Sequence, residues 1–136
     1  MKYEKLIIYS DGGARGNPGP AAVGVFLYDP NKVIVNTISE CIGDTTNNQA
    51  EYQAIIKGLE RAKDLGAEDL KCYLDSELVV NQLKLKYKVK NQGLSPLFVK
   101  AWNLVQQFKK VEFFAISREQ NKAADRLVNE ALDKNV

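Results

Sequence analysis

YSDGGARGNPGPAAVG, residues 9–24, decides how the rest of the chain is read. An apolar run, LIIYS, ends in an acid, Asp11, and four glycines and two prolines crowd into residues 12–20. Such a segment could cradle a phosphate, form a plain turn, or form a turn that holds one carboxylate at the mouth of a site. It contains neither G-x-G-x-x-G nor G-x-x-x-x-G-K-[ST]. It also leads into a second β-type run, AAVGVFLYD (21–29), and not into a helix whose N-terminus could bind phosphate. The phosphate cradle is therefore disfavoured, and the remaining choice depends on the residues that lie elsewhere.

Outward from this stretch, the hydrophobic period changes along the chain. Residues 4–11 alternate as a strand, with Leu6, Ile8 and Ser10 on one side and Ile7, Tyr9 and Asp11 on the other. Residues 21–29 and 32–41 are joined by turn chemistry at DPN, which predicts a hairpin. In TNNQAEYQAIIKGLERAKDLG (46–66) the apolar residues recur at helical spacing. Thr46 and Gln49 form a capping-box pattern there, and Gly66 is a stop. LKCYLD (70–75) is a fourth strand, and SELVVNQLKLK (76–86) is a helix capped by Ser76. NQGLSP interrupts, PLFVKAWNLVQQF (96–108) is a third helix, VEFFAIS (111–117) a fifth strand and NKAADRLVNEALDK (121–134) a final helix. The order βββαβααβα predicts an α/β fold with a five-stranded mixed sheet, its first three strands antiparallel, flanked by helices. One domain spanning 1–136 is expected, because no repeat, linker or low-complexity segment divides the chain.

Composition narrows the chemistry. The chain has 45% apolar and 26% charged residues, and a formal net charge of +2, so nucleic-acid binding would need a local patch. No apolar run approaches the roughly 18 residues of a membrane span. The N-terminus turns polar too early for a signal peptide, so a cytoplasmic protein without membrane contact is expected. Cys41 and Cys72 lie in apolar stretches without C-x-x-C spacing, which predicts reduced thiols in the core. There is no histidine, which removes Ser/His and Cys/His pairs and imidazole metal ligands. What remains is carboxylates, lysines, arginines or a metal.

Four acids sit at the ends of elements: Asp11, Glu51, Asp75 and Asp125. Each alone reads as a turn former, a helix-start charge or a cap. Yet Glu51 shares a helical stripe with Ile55, Gly58 or Leu59, and Ala62, and Asp125 with Val128 and Leu132, so both lean toward the sheet. Asp11 and Asp75 end apolar strands, near where crevices form in α/β sheets. Clustered carboxylates resist ionising together, and a hard divalent cation resolves the conflict. Two ions roughly 4 Å apart can clamp both the attacking and the leaving oxygen of a phosphodiester.

Together, SDGGARGNPGPAAVG, TNNQAEYQAI, LDSELVV and REQNKAADRLVN resemble the type 1 ribonuclease H family, short form without an added hybrid-binding domain, over nearly the whole chain. The resemblance implies the ribonuclease H-like fold and an endonuclease that hydrolyses the RNA strand of RNA/DNA hybrids, leaving 5′-phosphate and 3′-hydroxyl ends. It implies two magnesium ions, with manganese as a substitute, held by Asp11, Glu51, Asp75 and Asp125. Asp11 would bridge the ions, Glu51 and Asp75 would hold the ion nearer the leaving oxygen, and Asp125 the ion that presents the attacking water. Contacts to the hybrid are implied at Gly12, Gly13, Asn17, Thr46, Asn47, Asn48 and Gln49. Uncharged amides suit the 2′-hydroxyl that distinguishes RNA from DNA. The Cβ-free Gly12 and Gly13 are expected to admit a sugar-phosphate backbone. Some subgroups are reported to cut duplex RNA too, which makes double-stranded RNA a second partner class. A monomer is expected.

One departure stands out. Where many members carry a histidine before the last aspartate, this chain has Ala115, and Arg118 is the nearest polar stand-in. A surface pair of Arg118 with Glu119 is the plainer alternative. KLKYKVKN (84–91) would project its lysines, Lys86 and Lys88 among them, toward a DNA backbone if extended, and scatter them if helical. Trp102, at helical spacing from Phe98 and Val105, is expected in the core.

Overall fold

A computed structural model describes residues 3–134. Five strands form one sheet: β1 (Lys5–Ala14), β2 (Gly19–Tyr28), β3 (Ile34–Thr45), β4 (Asp69–Leu74) and β5 (Lys110–Ala115). Four helices accompany them: α1 (Asn47–Asp64), α2 (Glu77–Leu83), α3 (Ser95–Val105) and α4 (Lys122–Lys134), the last preceded by a 3-10 turn at Glu119–Asn121. The sheet order is β3-β2-β1-β4-β5, with β1–β2 and β2–β3 antiparallel and β1–β4 and β4–β5 parallel. The element order and the antiparallel first half match the sequence expectation.

Strand alternation sends the two faces of the sheet to different helices. Leu6, Ile8, Val23, Val25 and Leu27 join Ala54, Ile55 and Leu59 of α1 in the main core. On the opposite face a smaller cluster of Ala22, Val128, Ala131 and Leu132 holds α4. Beyond the reach of α4, that face carries stacked rings: Tyr9 on Tyr73 at 4.8 Å and Tyr73 on Phe114 at 5.1 Å. Among the described residues no helix is long and apolar enough to cross a membrane.

Several boundaries differ from the sequence expectation. β1 does not stop at Asp11. The β1–β2 ladder continues through Gly12↔Val23, Gly13↔Ala22 and Ala14↔Ala21, so both glycines are in the strand and the turn is confined to 15–18. α2 ends at Leu83 and not at Lys86, because Leu85 takes a left-handed φ of 62° and the N–H groups of Lys86 and Tyr87 both turn back to the Asn81 carbonyl. KLKYKVKN is therefore neither helix nor strand; its lysines are all exposed. Cys72 is buried as expected, but Cys41 is exposed on β3, an edge strand with one open side. Trp102 is half-buried, stacked at 6.3 Å on Phe98, and not a member of the main core.

Candidate functional site

Strand lengths create the site. β4 pairs with β1 only as far as Ser10↔Leu74, whereas β1 runs on to Ala14. The gap beyond the end of β4 is a crevice at strand carboxyl ends, the usual ligand position in such sheets. Asp11 enters it from β1, and Asp75 from the residue that follows β4.

Two close backbone approaches bring the helices to the gap. A Cβ on Gly12 would lie 2.1 Å from the Ala50 carbonyl oxygen, so the missing side chain lets α1 lie directly against β1. The bare Cα of Gly12 thus does something the sequence did not show: it admits a helix, while Gly12 still lines the cleft. The Gly12 N–H then donates to Glu51 Oε1 at 2.7 Å, which fixes that carboxylate beside Asp11. On the other face, a Cβ on Gly24 would lie 2.2 Å from the Ala124 carbonyl oxygen, which brings the start of α4, and with it Asp125, to the sheet.

The result is a cleft of about 350 Å³ lined by Asp11, Gly12, Gly13, Asn47, Asn48, Glu51, Asp75, Ser76, Arg118 and Asp125. All four sequence-predicted acids meet there. Asp11, Glu51 and Asp75 each offer an oxygen within 4.8 Å of the others. Asp125 is exposed and stands outside that close group. Burial above all pushes the Asp11 carboxyl up to about 6; the Glu51 hydrogen bond offsets part of this, and the Asp75 and Asp125 charges add to it. Burial, then Asp11, holds Glu51 well above the usual carboxylate range. Burial also raises Asp75, while the Asn121 amide and the Arg118 guanidinium pull it back. Among the described residues, Glu51 Oε2 is buried without a hydrogen-bond partner. A set of hard oxygen donors that resist ionising together, one of them orphaned, fits a divalent cation such as magnesium or manganese.

Around the acids, the turn and the start of α1 clasp each other. Asn17 Oδ1 accepts from the Asn47 N–H at 3.0 Å, and Asn47 Oδ1 accepts from the Ala14 N–H at 2.8 Å. Thr46 and Gln49 form the expected capping box, and Gln49 Nε2 also donates to the Gly93 carbonyl at 3.3 Å. Thr46, Gln49 and Asn17 do not line the cleft, and neither do Lys86 and Lys88, which are exposed in the segment after α2. Arg118 lines the cleft, and the expected alternative partner, Glu119, pairs with Lys122 at 2.7 Å instead. Sequence reasoning missed Asn121. Buried to 1% exposure, it donates from Nδ2 to the Ser10 carbonyl at 2.9 Å and reaches Asp75 Oδ2 at 3.5 Å. An asparagine opening a polar helix start gives no local sign of such burial. Ser76, read only as a cap, both caps α2 and lines the cleft.

Comparison with known proteins gives consistent matches. A family described as reverse transcriptase-like matches residues 9–131. A ribonuclease HI of Halobacterium salinarum is 43% identical over 125 residues, covering 92% of this chain and 63% of that protein. The crystal structure of RNase H1 from the same organism superposes with a TM-score of 0.93 at 42% identity, covering 96% of this chain and 98% of that one. LC11-RNase H1, crystallised in complex with an RNA/DNA hybrid, superposes with a TM-score of 0.91 at 43% identity, again covering 96% and 98%. A bifunctional protein of Mycobacterium tuberculosis is 42% identical over 131 residues; these are 95% of this chain but only 36% of that protein, so the chain spans little more than a third of the mycobacterial relative.

Proposed function

From the premise that the chain belongs to the ribonuclease H family, as a reverse transcriptase-like domain, we propose that it is an endonuclease that hydrolyses the RNA strand of RNA/DNA hybrids. The observation that carries this reading is the close group of Asp11, Glu51 and Asp75, their oxygens within 4.8 Å of one another, in a cleft edged by the Asn47 and Asn48 amides. Asp11, Glu51, Asp75 and Asp125 would hold two magnesium ions, with manganese as a substitute. When bound, such ions supply Lewis acidity that activates water and stabilises the charge developing on phosphodiester oxygens.

The chain's own groups supply positioning. The Gly12 N–H donates to one Glu51 oxygen, and the other Glu51 oxygen, which has no hydrogen-bond partner among the described residues, is left to ligate a cation. Asn47 has its Oδ1 occupied by the Ala14 N–H, so what it offers a hybrid is donation from Nδ2, a bond that a 2′-hydroxyl can accept. The turn at 15–18 is locked to the start of α1 through Asn17, so the two segments that would touch the hybrid keep a fixed spacing. Arg118, exposed at the cleft, is the cation available to steer phosphate charge where no histidine exists. In-line attack of water on phosphorus, with the P–O3′ bond breaking and the 3′-oxygen leaving and taking up a proton, would give 5′-phosphate and 3′-hydroxyl ends.

End-labelled RNA/DNA hybrid, incubated with magnesium or manganese beside duplex RNA, duplex DNA and single-stranded RNA, tests this. Cutting of the hybrid RNA that stops with Asp11→Asn and with a chelator is expected. Hybrid binding without cutting under either metal would overturn the nuclease reading, and the duplex-RNA lane sets the breadth of substrate.

A further inference from the structure

Asp125 differs from the other three acids: it is exposed, and it lies outside the close group. Something must aim its carboxylate. Asn129, one helical turn on, donates from Nδ2 to Asp125 Oδ2 at 3.4 Å and to the Asp125 carbonyl at 3.2 Å. The other end of that amide, Oδ1, accepts from Arg15 Nη2 at 3.5 Å. The same Arg15 nitrogen is anchored on Asp133 Oδ1 at 2.6 Å. Asp125, Asn129 and Asp133 are spaced four apart and share one stripe of α4, whereas Arg15 arrives from the turn between β1 and β2, two residues before Asn17.

We propose that Asn129 and Arg15 are positioning residues that preset the Asp125 carboxylate and couple it to the turn that would touch the hybrid. The orientation follows from donor inventory. A side-chain amide can present either end, but a guanidinium only donates, so Arg15 draws the amide oxygen to itself and turns the NH₂ toward Asp125. Exposed contacts of this length contribute little to stability, so their effect is orientation. The proposal rests in part on the ribonuclease reading, and one arm of its test does not.

That test measures hybrid cleavage kinetics and, separately, manganese binding by calorimetry without any hybrid. For Asn129→Ala we expect kcat to fall about tenfold, the low end for groups that orient a metal ligand, with KM for the hybrid nearly unchanged and manganese bound more weakly. Arg15→Ala added to Asn129→Ala should cost kcat nothing further, because Arg15 acts through the amide. Asn129 is exposed, so a melting curve like that of the wild type is expected and excludes a folding defect. Wild-type kcat and manganese affinity in Asn129→Ala, or additive losses in the double variant, would overturn the proposal. If the wild type cuts no hybrid while Asn129→Ala still weakens manganese binding, the ribonuclease reading fails and the positioning role stands.

Discussion

At the scale of single residues, Gly12 shows what a site asks of its backbone. An added Cβ would lie 2.1 Å from the Ala50 carbonyl oxygen and 2.6 Å from the Glu51 nitrogen, both backbone atoms that cannot swing aside. Gly12→Ala must push α1 off β1 and break the Gly12–Glu51 hydrogen bond. The expected loss is about 3 kcal/mol, the upper end for overpacking. Gly13→Ala is the control: its Cβ would meet only Val128 Cγ1 at 3.6 Å, an ordinary contact, and its melting temperature should stay close to wild type. Equal melting of the two variants would mean that the β1–α1 contact is looser than described. Asp11, Glu51, Asp75 and Asp125 were legible in the sequence because each closes an apolar run or shares the buried stripe of its helix. Asn121, Asn129 and Arg15 were not. Asn121 meets Ser10, and Arg15 meets Asn129 and Asp133, across more than 100 residues, and no local period encodes those meetings, although the step from Asn129 to Asp125 is one helical turn.

Among the elements, helix starts were easier to foresee than helix ends. The Thr46–Gln49 box is a local exchange of hydrogen bonds, written in four residues, and the structure makes it. The end of α2 carries no such signature, since Leu85 is an unusual residue for a left-handed conformation. The segment after it keeps Lys84, Lys86, Lys88 and Lys90 in solvent while Val89 packs on the core, so a small anchor holds an exposed cationic strip. If Lys86 and Lys88 meet backbone phosphates, Lys86→Ala with Lys88→Ala should weaken hybrid binding and make the negative slope of log K against log salt shallower by about 2. The turnover of bound hybrid should not change, because neither lysine lines the cleft. An unaltered salt slope, measured by titration between low and moderate salt, would return these lysines to ordinary solvated surface.

At the scale of the whole molecule, the fold gathers like charges from four elements. The period changes made the element order readable, but the central place of β1 was not, because strand order is decided by packing between segments far apart in sequence. That central place is what costs stability: it buries Asp11 between two helices' worth of acids. Its folded carboxyl sits at about 6 against an ordinary 3.8, with burial the main cause, and Glu51 and Asp75 are raised as well. A carboxyl whose pKa is higher in the folded state favours folding while protonated. Its contribution is complete below the ordinary value and is lost as pH rises through about 6. With a chelator present, the wild type should therefore lose stability as pH rises from about 4 through about 6, relative to Asp11→Asn, which carries no ionisable group at that position. At pH 7.5 the variant should be the more stable of the two, because it has no carboxylate to hold ionised in the buried cluster. Magnesium added at pH 7.5 should raise the melting temperature of the wild type and leave that of Asp11→Asn nearly unmoved, since only the former keeps the full donor set. Parallel stability–pH curves for the two proteins would show that Asp11 is already ionised without cost, and that the acids do not strain the fold that gathers them.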